Sequence, residues 1–131
     1  MTTLSIKKPA QGSAPTLEQQ RAQFAWDCAR EGSARSGDEY RNLAKAAPAL
    51  IMNNGLMQTL AFYQDKDKTH HKMLAEHLRR WVFLRGGGNG QDPGFQTMME
   101  VLLKAGPAEY RRATDETLLI LRWIRQFAAA L

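Results

Sequence analysis

The stretch from Tyr110 to Leu131, YRRATDETLLILRWIRQFAAAL, constrains this chain more than any other. Its apolar residues recur at helical spacing. At about 100° per residue, Tyr110, Ala113, Thr117, Ile120, Leu121, Ile124, Phe127, Ala128 and Leu131 share one broad side. A side that wide has to be covered, so the segment predicts a long helix in a bundle. Opposite lie Arg111, Asp115, Leu118, Arg122 and Arg125, with Leu119 and Trp123 further round. This second side holds more apolar surface than solvation needs and more positive charge than a core tolerates. It predicts a contact face for a protein or a polyanion; the plainer alternative is a solvated face with scattered apolar residues. Arg111 can pair with Asp115, and Arg112 with Glu116, at i,i+4. Arg122 and Arg125 have no acid three or four positions away.

The rest of the chain reads as further helices. Residues 1–15 form a leader with Pro, Gly, Ser and two lysines, expected to be flexible. Residues 16–131 form one helical bundle domain of five to six helices. Thr16 with Gln19 is a capping-box pattern that opens a first helix to about Glu31. Gly32–Gly37 reads as a turn, and Asp38 caps a short helix through Ala46. Pro48 suits the start of a third helix, PALIMNNGLMQTLAFYQ, apolar at nearly every angle and therefore central or sandwiched. Its Asn53-Asn54-Gly55 interruption costs helix propensity. That cost fits close packing at the glycine, a bend, or a polar contact, with packing preferred. A charged turn at Asp65–Lys68 leads to a helix from Thr69 to about Leu84, with Leu74, Leu78, Trp81 and Val82 on its core side. A Gly-rich loop, Arg85–Gly94, precedes a fifth helix that opens at Asp92-Pro93 and ends near Ala105. Gly106-Pro107 stops one helix and starts the last. No alternating β-branched run appears, so the fold class is all-α.

From Lys66 to Arg85 six Lys/Arg face two acids, Asp67 and Glu76. Lys72, Glu76, Arg79, Arg80 and Phe83 project to one side, which stays positive. Phe83 beside those cations suits stacking on a base or a neighbouring subunit; the alternative folds it under the next loop. His70, His71 and His77 raise a metal or general-base reading. The seven-residue spacing of His70 and His77 spans two turns, too far for simple chelation, and no nucleophile is specified. The GGGNG loop lacks the GK[ST] and preceding strand of a phosphate loop. Binding is supported far better than catalysis, and neither a catalytic residue, a metal site nor a cofactor is expected.

A net charge of +5 and a pI near 9.7 favour acidic partners, nucleic acid first. Cys28 is the one cysteine, expected to be a buried thiol in a reducing compartment. No secretory h-region and no membrane-spanning stretch is visible, which fits a cytoplasmic protein.

Three blocks then carry a family resemblance: YRNLAKAAPALIMNNGLMQTLAFYQDK at 40–66, HLRRWVF at 77–83 and the closing segment at 110–131. Together, and in this order, they resemble the small subunit of the type III-B, or Cmr-type, CRISPR effector complex. The NGL triplet and the closing block are the specific parts. Val82, where leucine is usual, the Gly-rich loop and the leader depart from the pattern. The resemblance implies an all-α subunit without its own active site. Copies of it would stack inside a filament of backbone subunits, beside a large subunit, and help hold guide RNA and target RNA. It implies basic residues on a groove-facing surface, carried over by type onto Arg41, Lys45, Arg79, Arg80, Arg122 and Arg125; Lys72 joins them from the basic helix face. Such a scaffold meets many sequences and should touch phosphates rather than bases. Head-to-tail stacking needs apolar surface on two sides, which assigns Phe83, Leu118, Leu119 and Trp123 to subunit contacts. A pure protein–protein adaptor is the competing expectation.

Overall fold

Thr16 starts the described helices. The computed structural model describes residues 13–131, so most of the expected leader, residues 1–12, lies outside the described residues. The Thr16 hydroxyl accepts from the Gln19 N–H at 3.1 Å, and the Gln19 side chain accepts from the Thr16 N–H at 2.8 Å. This reciprocal pair satisfies two donors that a helix start leaves open. Helix α1 then spans Leu17–Ser36.

The predicted turn at Gly32–Gly37 does not form, because α1 continues to Ser36 and turns only at Gly37, with φ of 52°. Gly32 has a different task. It is buried against the ring of Tyr40, which occupies the space a Cβ would need. The missing side chain lets α1 and the next helix approach closely.

Helix α2, Asp38–Asn54, runs through Pro48 rather than ending at Ala46. A mid-helix proline is costly in isolation, but Tyr40, Ala44, Ala47 and Ile51 bury a continuous stripe on both sides of it. The break falls at Gly55, whose φ of 88° disfavours any residue with a side chain. Its N–H donates to the Ile51 carbonyl at 2.7 Å. The Asn53-Asn54-Gly55 interruption is thus a bend, not a packing glycine; the nearest atom to a Cβ there is the Tyr110 hydroxyl at 3.9 Å.

Helix α3 spans Leu56–Lys66 and ends at Asp67 in the left-handed region. Helix α4 spans Thr69–Arg85, α5 Phe95–Lys104 and α6 Pro107–Ala130. There is no strand among the described residues. The six helices form the single all-α bundle that the periodicity predicts.

The closing helix organises the bundle. It packs against α1, α2 and α4, while α5 rests mainly on α3 and α4. Thr117, Ile120, Leu121, Ile124 and Ala128 are buried, and Tyr110, Ala113 and Phe127 half-buried, as the wheel predicts. Leu131 departs from it and is exposed. Buried Thr117 returns its hydroxyl to the Ala113 carbonyl at 2.8 Å, so the core carries no orphan there. No described helix is long and apolar enough to cross a membrane.

Candidate nucleic-acid interface

The seven cations singled out from the sequence divide into three groups. Lys45 on α2 and Arg122 and Arg125 on α6 are exposed and form no ion pair among the described residues. Arg122 and Arg125 lie outward on α6, and Arg111, exposed too, is three turns before Arg122 in the same line. Arg41 and Lys72 form surface pairs, with Asp38 and Asp67, both at 2.9 Å. Such exposed pairs hold their partners weakly.

Arg79 and Arg80 are committed inward. Arg79 is only 9% exposed in its side chain. Its Nε and Nη2 donate to the two carboxylate oxygens of Asp92 at 2.8 and 2.9 Å, a bidentate fork. Asp92 also accepts from the Gly94 N–H at 2.9 Å, at the start of α5. Burial alone would raise the Asp92 pKa, but the Arg79 hydrogen bonds, the Gly94 N–H and the charges of Arg79 and Arg80 lower it overall. Arg80 donates to the Gly90 carbonyl at 3.0 Å and lies over the Phe24 ring, 5.2 Å from its centre. The exposed positive face expected across Arg79 and Arg80 is therefore a clamp on the Gly-rich loop.

That loop also covers Phe83. Gly88 packs so closely on the Phe83 ring and carbonyl that a Cβ would overlap them. Phe83 is half-buried against the core, as are Leu118 and Trp123; Leu119 is half-buried as well. Trp123 stacks obliquely on Phe127 at 5.6 Å, and Phe127 meets the exposed Trp26 of α1 edge-to-face at 5.3 Å. Trp26 belongs to this aromatic strip, and its α1 position carries no signal in α6's periodicity.

The local pairs predicted on α6 are absent. No Arg111–Asp115 or Arg112–Glu116 ion pair forms among the described residues. Glu116 turns instead toward α1 and α4. It accepts from Arg21 Nη2 at 2.7 Å and Trp81 Nε1 at 3.1 Å, with Arg85 at 3.8 Å. Burial pushes its pKa up, and the bonds from Arg21 and Trp81 and the nearby guanidinium charges outweigh that, holding it below the usual value. Tertiary geometry prevails over an i,i+4 neighbour because the α1 and α4 donors are partly shielded from water.

His77 supplies a second buried knot. Its Nε2 lies 2.6 Å from Glu31 Oε1 and its Nδ1 2.8 Å from the Tyr40 hydroxyl. With Glu31 ionised, Nε2–H donates to it and Nδ1 accepts from Tyr40. Burial lowers the His77 pKa against the opposing pull of Glu31, and burial raises those of Tyr40 and Cys28. Tyr40 and His77 are both fully buried, and with Glu31 they tie α1, α2 and α4 together. His77 follows Leu74 by three and precedes Trp81 by four, which was the available sign of its core position. Among the described residues no group of three or more His, Cys, Asp or Glu could hold a metal ion.

Fold and surface together define a small all-helical protein with outward-facing cations and half-buried aromatic strips. Residues 17–131 match the family described as CRISPR-associated protein (Cas_Cmr5), and the chain belongs to that family. It is similar to the CRISPR system Cmr subunit Cmr5 of Thermus thermophilus, at 34% identity over 120 residues, covering 88% of this chain and 96% of the relative. It is also similar to the crystal structure of a CRISPR-associated Cmr5 family protein from Thermus thermophilus, with a TM-score of 0.73 and 31% identity, covering 90% of this chain and 98% of the other. The type III-B resemblance carried by the three sequence blocks is thereby borne out.

Proposed function

We propose that the chain is a non-catalytic small subunit of a type III-B RNA-targeting effector complex, working in the cytoplasm in antiviral defence. Its partners are the backbone and large subunits, further copies of itself, and the guide and target RNA. It contacts the RNA backbone without reading sequence, through Lys45, Arg122 and Arg125, with Arg41 and Lys72 released from their weak surface pairs on binding. Arg79 and Arg80 act from within by fixing the loop after α4. Phe83, Leu118, Leu119 and Trp123 border the surfaces on which copies stack.

The observation that carries this reading is the contrast among the cations. Those on α6 and Lys45 point outward with no ion pair among the described residues, while Arg79 and Arg80 of α4 are held internally. Outward cations on a rigid helix suit phosphates at fixed spacing, and repetition along a stack multiplies weak contacts. The test is a reconstituted complex carrying Arg122→Glu and Arg125→Glu. The proposal expects normal assembly with weakened target-RNA affinity. Unchanged RNA affinity would favour a protein–protein adaptor whose basic faces serve solubility.

A further inference from the structure

A cleft of about 350 Å³ opens between the end of α4, α5 and the start of α6. Its apolar lining comes from Val82, Phe83, Met98 and Leu102. Val101, 47% exposed, stands at its edge. Arg85 and Arg112 border it from opposite helices, beside Glu109 and Glu116. Glu116 is already held by Arg21 and Trp81. It also lies 3.8 Å from Arg85, so with Arg21 counted three guanidiniums, those of Arg21, Arg85 and Arg112, meet the two carboxylates of Glu109 and Glu116 around the mouth.

We infer that this cleft binds one unstacked nucleotide of an RNA strand, its base on the apolar lining and its phosphate at Arg85 and Arg112. The volume lies at the small end of ligand pockets. A nucleotide matches both parts of the mouth: phosphate oxygens accept from the guanidiniums, and base N–H groups donate to Glu109. An apolar peptide side chain would fill the lining and leave Arg112, which forms no ion pair among the described residues, without an anionic partner. Bases lifted out of a stack are commonly held between aromatic and arginine side chains, the types that Phe83 and Arg85 supply. Arg112 precedes Arg122 by about 15 Å along α6, so one strand can span both. The Arg79–Asp92 fork positions the cleft, because it anchors the loop that leads into α5. The inference rests on the RNA-contact reading and adds a site that holds a base.

The test uses the full chain and ¹H–¹⁵N spectra, titrated separately with AMP, GMP, CMP, UMP and inorganic phosphate. Saturable shifts at Val82, Phe83, Val101 and Ala113 are expected with low-millimolar nucleotide and not with phosphate. Val101→Trp, which fills the cleft from an exposed position, and Arg112→Ala should each weaken binding about tenfold or more while melting stays unchanged. The inference is overturned if nucleotides cause no such shifts, if phosphate alone reproduces them, or if Val101→Trp leaves them intact. It is also overturned if the cleft responds only to a purified protein subunit of the complex. Oligoribonucleotide binding by the Arg122→Glu, Arg125→Glu variant separates the two ideas. Undiminished binding there, with the cleft shifts retained, defeats the outer-face reading and leaves the cleft standing; abolished binding with no cleft shifts does the reverse.

Discussion

Replacing Glu116 with alanine removes the tie between α6, α1 and α4. Arg21 and Glu116 are 16% and 12% exposed in their side chains, so water screens this pair little. Removing one partner of a buried pair costs about 3–5 kcal/mol. The Trp81 N–H, also left without its acceptor, would add about 1–3 kcal/mol taken alone. The two costs share one carboxylate and do not add. Residual solvent access to Arg21 selects the lower end, about 3 kcal/mol, or roughly a 10 °C fall in melting temperature for a domain of this size. Glu116→Gln keeps an acceptor for Trp81 and should lose about half as much. Urea unfolding at neutral pH measures both, with the slope checked for constancy. A loss below about 1 kcal/mol for Glu116→Ala would refute the claim that this carboxylate is a keystone. A larger loss for Glu116→Ala than for Arg21→Ala, with the double variant no worse than Glu116→Ala, would support it.

Other outcomes follow from the same geometry. His77 and His71 both have pKa values lowered from 6.5, chiefly by burial. Each is neutral in the fold, so the unfolded chain takes up the proton first; stability should be full above about pH 6.5 and decline below it. Glu116 and Asp92, also lowered, add a further loss as pH falls below about 4.5, and denaturant titrations across this range should show both phases. Gly32→Ala should destabilise by about 1–3 kcal/mol despite alanine's better helix propensity, because its methyl meets the Tyr40 ring; a gain in melting temperature would contradict that packing. Asp92→Ala leaves the buried Arg79 charge without its fork and should speed hydrogen exchange across the loop and α5 before the rest of the bundle.

The helices that sequence reveals best are those whose burial follows one period. The α6 stripe from Thr117 to Ala128 is such a case, since a single wheel accounts for every fully buried position. Boundaries were harder where one residue serves a contact rather than a local preference. Gly32 looks like a turn because glycine usually punctuates helices, yet here it admits Tyr40. Pro48 looks like a start, yet packing on both sides carries α2 through it. The candidate interface was legible at Arg122 and Arg125, whose local sequence contains no acid to neutralise them. It was not legible at Arg79, whose partner Asp92 lies beyond the helix end, or at Glu116, whose partners come from α1 and α4. Spacing within one helix reports the neighbours of that helix only, and each of these departures involves a second element.

In the proposed function, outward cations, above all Arg122 and Arg125, meet RNA phosphates without regard to sequence. The most direct measurement is the affinity of the full chain for unrelated single-stranded RNAs across a salt series, beside the Arg122→Glu, Arg125→Glu variant. Phosphate contact predicts similar affinities for different sequences and a steep linear fall of log affinity with log salt. The slope should shrink by about 0.7 for each phosphate that the variant no longer neutralises. Affinity that is insensitive to salt, or a slope identical in the variant, would contradict it.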